Sequence, residues 1–396
     1  MATSAQQIRA WQGLAVLGYG FRPFFLGAAA FAAMAMAVWI GALSGTWSIP
    51  SAYGPVEWHA HEFMWGYLPA VIAGFLFTAI PNWTGRLPIV GVPLAVLWCF
   101  WFSGRLAMFV SGSMPIVLAA AIDLSFLTVL LAVVAREIVA GRNWKNLKVL
   151  AVVAILAAGN LVFHIEAITG GSAASGVGVR IGVAAAIMLI AIIGGRIVPS
   201  FTRNWLARRG PGALPAQFDW TDQAVLAVTA LALLLWTAFP ASGGSGAIAL
   251  LAGALNLFRL ARWTGWRCLA EPLVAILHAG FLFIPAGFLL TGAAALWPEI
   301  VPPAAAQHAW MAGAIAVMTL AVMTRASLGH SGKALAAGKG TTAIYGLAIT
   351  AVIARVVSGI VPAIPLLLEI AGAAWIMAFL GFVIVYAPLL LLRRAA

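Results

Sequence analysis

The chain has 396 residues, 64% of them hydrophobic and only 8% charged. Soluble domains are near a quarter charged and about half apolar, so 22 Lys and Arg with 10 Asp and Glu cannot coat a water-exposed surface of this size. A soluble enzyme is excluded. The net charge of +12 is not a nucleic-acid face either, because the basic residues sit between apolar stretches, where they orient a chain in a membrane.

In chain order, twelve apolar stretches appear at 24–44, 57–80, 89–110, 114–136, 147–169, 178–199, 222–240, 246–264, 272–296, 304–325, 341–361 and 364–391. At about 1.5 Å per helical residue each crosses, or nearly crosses, a hydrocarbon core of about 30 Å. The runs are continuous and do not alternate apolar with polar, which argues against membrane strands. The expected fold is all-α: a polytopic helical bundle, one integral membrane domain over 1–396. No cleavable signal peptide is expected, since the first polar stretch runs to Arg22 and a span-length segment follows.

The connections set the orientation. Arg9 and Arg22 precede the first stretch, and alternate connections carry Arg86; Arg136, Arg142, Lys145 and Lys148; Arg196, Arg203, Arg208 and Arg209; Arg259, Arg262 and Arg267; Arg325, Lys333 and Lys339; and Arg393 and Arg394. Only Arg105, Arg180 and Arg355 fall toward the other side, so 19 of the 22 basic residues share one face. The excess predicts that both termini are cytoplasmic. The second stretch exits through Pro81-Asn82-Trp83-Thr84, the sixth through Pro199-Ser200-Phe201-Thr202 and the tenth through Thr324-Arg325, a weak trace of a four-helix unit repeated along the chain.

Ionisable groups at membrane depth are costly and mark a pathway or a cofactor. His59, His61 and Glu62 lie at the outer end of the second stretch, Asp123 on the fourth, His164 and Glu166 near the outer end of the fifth, and His308 at the outer start of the tenth. Arg105, Arg180, Arg355 and Glu369 join them at similar depth. His278 sits nearer the cytoplasmic half, and His330 falls in the connection after the tenth stretch. A single histidine at a helix end is ordinarily interfacial. Four of six at one depth on three helices point instead to inward-facing imidazoles, the arrangement that non-covalent heme or a metal needs, with arginines for carboxylates. In regular helix His59 and His61 point about 200° apart and cannot share one ion, whereas His59 and Glu62 share a face. Cys99 and Cys268 form no Cys-x-x-Cys, so iron–sulfur clusters, structural zinc and covalent c-type heme lack their ligands. The 17 Trp read as interfacial anchors.

Several runs resemble the NnrS family of bacterial membrane proteins linked to nitric oxide and denitrification. They are Gly20-Phe21-Arg22-Pro23-Phe24-Phe25, Trp58-His59-Ala60-His61-Glu62, Ala73-Gly74-Phe75, Pro81-Asn82-Trp83-Thr84-Gly85, Arg196 through Asn204, Leu277-His278-Ala279-Gly280, His308-Ala309 and Met323 through Gly332, in order along nearly the whole chain. The resemblance implies twelve helices in a bacterial inner membrane and a role in nitric oxide metabolism or nitrosative stress. It also implies heme, with copper associated, although no Met-rich or Cys-containing cluster is present to hold copper. By motif, His59, His61, His278, His308 and His330 carry over as functional; His164 rests on its depth.

The leading expectation is a nitric oxide reductase. It would hold one or two non-covalent hemes b on His59, His61, His164, His278, His308 or His330, place Arg105, Arg180 and Arg355 for propionates, and use Glu62, Glu166 and Asp123 as proton relays. Quinol is the expected electron donor, since no c-type motif supplies a covalent relay. There is no adjacent His-His pair, so the binuclear pattern of heme–copper oxidases is not expected. The competing classes are a non-catalytic heme protein that sequesters or senses nitric oxide, and a metal or anion transporter, which twelve spans and many small residues also suit.

Overall fold

In a computed structural model, residues 11–392 are described; Arg9, Arg393 and Arg394, used above for orientation, lie outside them. Among the described residues the chain is helical with no strand. Twelve helices are long and apolar enough to span a membrane: α1 (Phe21–Leu43), α2 (Pro55–Thr84), α3 (Val92–Phe109), α4 (Ile116–Ala140), α5 (Trp144–Ile168), α6 (Val177–Leu206), α7 (Trp220–Ala238), α8 (Gly243–Ala261), α9 (Pro272–Leu296), α10 (Pro303–His330), α11 (Lys339–Ile360) and α12 (Leu366–Leu391). The chain is a multi-pass membrane protein. Large apolar side chains such as Val92, Leu234 and Ile384 point outward, as they must where the surrounding medium is hydrocarbon.

Each apolar stretch becomes one helix, but several helices overrun their stretches, α2, α6 and α10 among them. α2 and α6 continue past Pro81 and Pro199. A proline removes one backbone hydrogen bond without ending a helix whose following turns remain packed, and Thr202 closes the next turn of α6 through Oγ1 to the Val198 carbonyl at 2.8 Å. α10 runs on to His330, which therefore sits on its last turn and not in a connection. Nothing between Arg325 and His330 interrupts a helix, and the stop comes at Gly332, whose φ of +66 is left-handed.

The chain divides into two compact units. Unit one takes the residues up to Gly182 together with Ala326–Lys333 and those from Phe379 on; unit two takes Val183–Arg325 and Ala334–Ala378. Within unit one, α1 packs on α2 through Phe24 and Phe77, whose ring centroids are 5.8 Å apart, and Trp65 of α2 donates to the Leu156 carbonyl of α5 at 3.0 Å. Within unit two, Trp310 of α10 donates to the Ile284 carbonyl of α9 at 3.1 Å, and Thr324 of α10 meets the Tyr345 hydroxyl of α11 at 2.6 Å. α7 and α8 are joined by an ion pair between Asp222 and Arg259, 2.8 Å apart and both buried.

α2 and α10 differ from the other spans in two ways. They are the most enclosed, with 83% and 72% of their central windows buried. Each also contains a π-helical segment, Glu62–Tyr67 in α2 and Ala309–Val317 in α10. Such widened turns are rare and are found mostly at functional sites, because they re-aim the side chains around them. In α2 the widened turn is stabilised from the side: Trp101 of α3 donates its indole N–H to the Gly66 carbonyl at 2.8 Å.

Candidate functional site

A closed polar cluster lies within unit one, built on four helices and the segment before α2. Asp123 of α4 is its hub, 2% exposed. Oδ2 accepts from Asn160 Nδ2 at 2.8 Å, and it faces His164 Nε2 at 3.1 Å and His61 Nε2 at 3.2 Å. Oδ1 pairs with the Arg105 guanidinium. Arg105 of α3 also reaches Glu62 Oε1 at 2.6 Å, and His61 Nδ1 lies 3.0 Å from that same oxygen. Both ring nitrogens of His61 thus face carboxylates and the ring can donate from each. With His61 in that state, two carboxylates, one guanidinium and one imidazolium sum to zero, the condition under which buried ions persist.

His164 is held from its other side by Tyr53, whose hydroxyl is 2.8 Å from Nδ1. With Nε2 donating to Asp123, Nδ1 accepts from Tyr53. Burial, and after it the Asp123 charge, push the Tyr53 phenol up, so it stays protonated and available as a donor. The arrangement works in both tautomers, because the same hydroxyl can accept from Nδ1–H when Nε2 is needed elsewhere.

The π-helical turn is what makes the cluster fit. It brings Glu62 and Gly66 under Arg105, and a Cβ at Gly66 would overlap Arg105 Nη1 and stand 2.9 Å from Phe31 and 3.0 Å from Glu62 Oε2. A side chain there would force Arg105, Phe31 or Glu62 to shift. Two buried atoms at the rim, Glu62 Oε2 and Arg105 Nε, have no hydrogen-bond partner among the described residues; buried polar atoms in that condition mark a place for water or a ligand.

His61 Nε2, His164 Nε2 and Asp123 Oδ2 lie within 4.8 Å of one another. An ion with bonds of about 2.0–2.2 Å to imidazole and carboxylate would draw them together with a small inward adjustment. Two imidazoles and one carboxylate with coordination positions left over suit a redox-active first-row metal.

A family model described as the NnrS protein matches residues 15–394. The chain belongs to the NnrS family. Membership gives it a nitric oxide-related function in a membrane. No match is found among curated proteins or among solved structures.

The NnrS resemblance implies heme, and the histidines differ in their fitness for it. His61 and His164 have ring centroids 5.0 Å apart with the Asp123 carboxylate between their Nε2 atoms. No porphyrin plane fits between them, so this pair does not suit heme and suits a bare ion. The His59 ring stacks on Trp39 at 4.4 Å and lies against Phe63 at 4.9 Å. His61 Nδ1 meets Glu62 Oε1 directly. His330 packs against Tyr19 and Phe21.

In unit two, His278 Nε2 is 2.8 Å from Thr202 Oγ1. That hydroxyl spends its one proton on the Val198 carbonyl, so His278 donates. His308 Nδ1–H donates to the Ala304 carbonyl at 2.7 Å, which leaves Nε2 as its lone-pair atom.

Glu166 receives backbone N–H groups of Val177 at 2.7 Å and Gly178 at 3.2 Å, capping the start of α6. Arg180 donates to the Ser175 carbonyl at 2.8 Å. Neither converges on Asp123. Two members of the cluster went unnoticed in the sequence. Asn160 stands four residues before His164, the one-face spacing of a helix, and was legible in principle. Tyr53 lies in an irregular segment and carries no local signal.

Proposed function

We propose that the chain is a membrane metalloprotein that binds nitric oxide at an ion held by His61, His164 and Asp123, and reduces it. Two nitric oxide molecules, two electrons and two protons yield nitrous oxide and water, with a quinol as the source of electrons. The observation that carries this reading is the convergence of three ligand atoms from three helices, within 4.8 Å of one another and sealed from solvent. Iron and copper are the expected ions, since both bind nitric oxide and both change oxidation state.

The ion would supply the nitric oxide binding site and an electron; the surrounding residues do the rest. Asn160 and Arg105 hold Asp123 so that one oxygen faces both imidazoles. Glu62 orients His61 through Nδ1, the carboxylate–histidine pairing that fixes ligand rings in metal sites. Glu62 Oε2, buried and without a hydrogen-bond partner among the described residues, is the group placed to hold a proton. Arg105 keeps the two carboxylates compensated as charge moves.

Detergent-purified protein provides the test: metal content by mass spectrometry, nitric oxide uptake at an electrode and nitrous oxide by gas chromatography, with a reduced quinol analogue. We expect about one ion per chain and quinol-dependent nitrous oxide, both lost in His164→Ala and both kept in His59→Ala. Stoichiometric binding without nitrous oxide would reduce the reading to sequestration. A metal-free protein that still consumes nitric oxide would overturn it.

A further inference from the structure

α2 and α4 of unit one both end in connections rich in basic residues, and one buried acid ties the two ends together. Glu137, in the last turn of α4, is 5% exposed. Its Oε1 accepts from Arg136, at 2.7 Å through Nη2 and 3.0 Å through Nε. Its Oε2 accepts from Nε of Arg86, which follows the left-handed stop of α2 at Gly85. One carboxylate thus fixes two guanidinium groups, whose side chains remain 44% and 65% exposed. Two cations on one anion leave net positive charge at the membrane surface.

The backbone around them is held as well. Asn143 Nδ2 donates to the Trp83 carbonyl, and Asn143 Oδ1 accepts from Asn146 Nδ2 at 3.0 Å. Thr84 Oγ1 donates to the Ile80 carbonyl at 2.8 Å and accepts from the Arg86 N–H at 3.3 Å. Gly141 lies so close to α2 that a Cβ on it would stand 2.5 Å from Thr84 Cβ. The left-handed position after α4 falls on the next residue, Arg142, with φ of +50, where glycine is the usual occupant. Left-handed backbone on a bulky residue is costly and collects at ligand clamps.

Arg142 and Lys145 add two exposed cations in the same connection, and their side chains have no acid or carbonyl partner among the described residues. In other connections arginines are spent on the protein: Arg262 on Asp219 and Asp222, Arg203 on the Pro215 carbonyl and Arg267 on the Ala213 carbonyl. Orientation in a membrane needs only that charge lie on one side. It does not need a buried acid that holds two arginines in place.

We propose that Arg86 and Arg136, with Arg142 and Lys145 of the following connection, form a headgroup site for an anionic phospholipid of the surrounding bilayer. The phosphodiester lies across the exposed side of the two guanidinium groups, whose planar donors match its oxygens. The further cations select a lipid of net negative charge over a zwitterionic one. Bound there, the lipid bridges the ends of α2 and α4, the helices that carry His61 and Asp123. It shares no residue with the His61–Asp123–His164 cluster, so it stands or falls apart from the proposed function.

Delipidated full-length protein in a neutral detergent is titrated with phosphatidylglycerol and with phosphatidylcholine of the same acyl chains. Bound lipid is counted by native mass spectrometry, and stability is followed by thermal unfolding. We expect phosphatidylglycerol to bind about tenfold more tightly or better and to raise the midpoint. Arg86→Gln and Arg136→Gln should each cut that preference by about fivefold, and Arg136→Lys should recover part of it. Arg208→Gln, at an exposed position after α6, should leave it unchanged. Glu137→Gln separates position from charge: it adds net positive charge yet releases the arginines, so a built site loses preference where a bare charged surface gains it. Wild-type preference in Arg86→Gln and Arg136→Gln, an equal loss in Arg208→Gln, tighter binding in Glu137→Gln, or displacement of the lipid by inorganic phosphate would overturn the proposal.

Discussion

Asp123→Asn is the sharpest perturbation of the unit-one cluster. The side chain keeps its shape, but it loses its charge and exchanges one acceptor oxygen for an NH2. In the wild type, Oδ2 gathers Asn160, His164 and His61 while Oδ1 takes Arg105. All four neighbours are donors, so the amide must turn its own donor toward at least one of them, and Arg105 keeps only Glu62. Removing one partner from a buried charge pair costs about 3–5 kcal/mol, against a total stability of about 5–15 kcal/mol for a folded domain. The ion loses a direct ligand as well, a greater loss than the roughly 10–100-fold that outer partners are worth. Glu62→Gln touches only the far nitrogen of His61 and should fall within that smaller range. The assay is thermal unfolding in detergent with and without added metal, beside metal content. A wild-type midpoint should rise with metal, since an ion at a hundred times its dissociation constant adds about 2.7 kcal/mol. The Asp123→Asn midpoint should start lower and stay flat. An Asp123→Asn protein that retains its ion and shifts with metal like the wild type would refute the reasoning.

Two further outcomes test parts of the structure. Gly66→Ala places a methyl group against Arg105, Phe31 and Glu62 and should cost about 1–3 kcal/mol by overpacking, with loss of the ion; unchanged metal content and melting would show that the guanidinium does not depend on that gap. Asp219 caps α7 by accepting the Thr221 N–H at 2.9 Å and the Asp222 N–H at 3.3 Å, and hydrogen bonding to Arg262 holds its carboxyl down at about 2. A depressed folded value means that the cap is complete above the ordinary carboxylate range near 4 and is lost only as pH falls toward 2. Exchange protection of those two amides should therefore survive at pH 4 in the wild type, whereas in Arg262→Ala its loss should move up toward pH 4; coincident profiles would contradict the pairing.

The twelve spans follow from hydropathy alone. In hydrocarbon every backbone polar group must be satisfied within its own segment, so a continuous apolar run of span length has one stable outcome, a helix. It also exposed the costly residues, because a charge at membrane depth stands out from Ala, Leu and Val whatever surrounds it. That is why Glu62, Arg105, Asp123, His61 and His164 stand out in the sequence. Which of them meet was decided by tertiary structure. Convergence depends on the rotation of each helix about its axis, and periodicity is a poor guide where a helix is enclosed on most sides, as α2 is. Packing then sets the contacts, with Glu62 against His61 and Arg105 and with His59 stacked on Trp39. Tyr53 joins the cluster only because an irregular segment folds across His164, and Glu166 leaves it because unpaired N–H groups at the start of α6 claim its oxygens first. Hydropathy is a property of each residue alone, whereas a site is a property of distances between residues far apart in the chain, and only packing sets those.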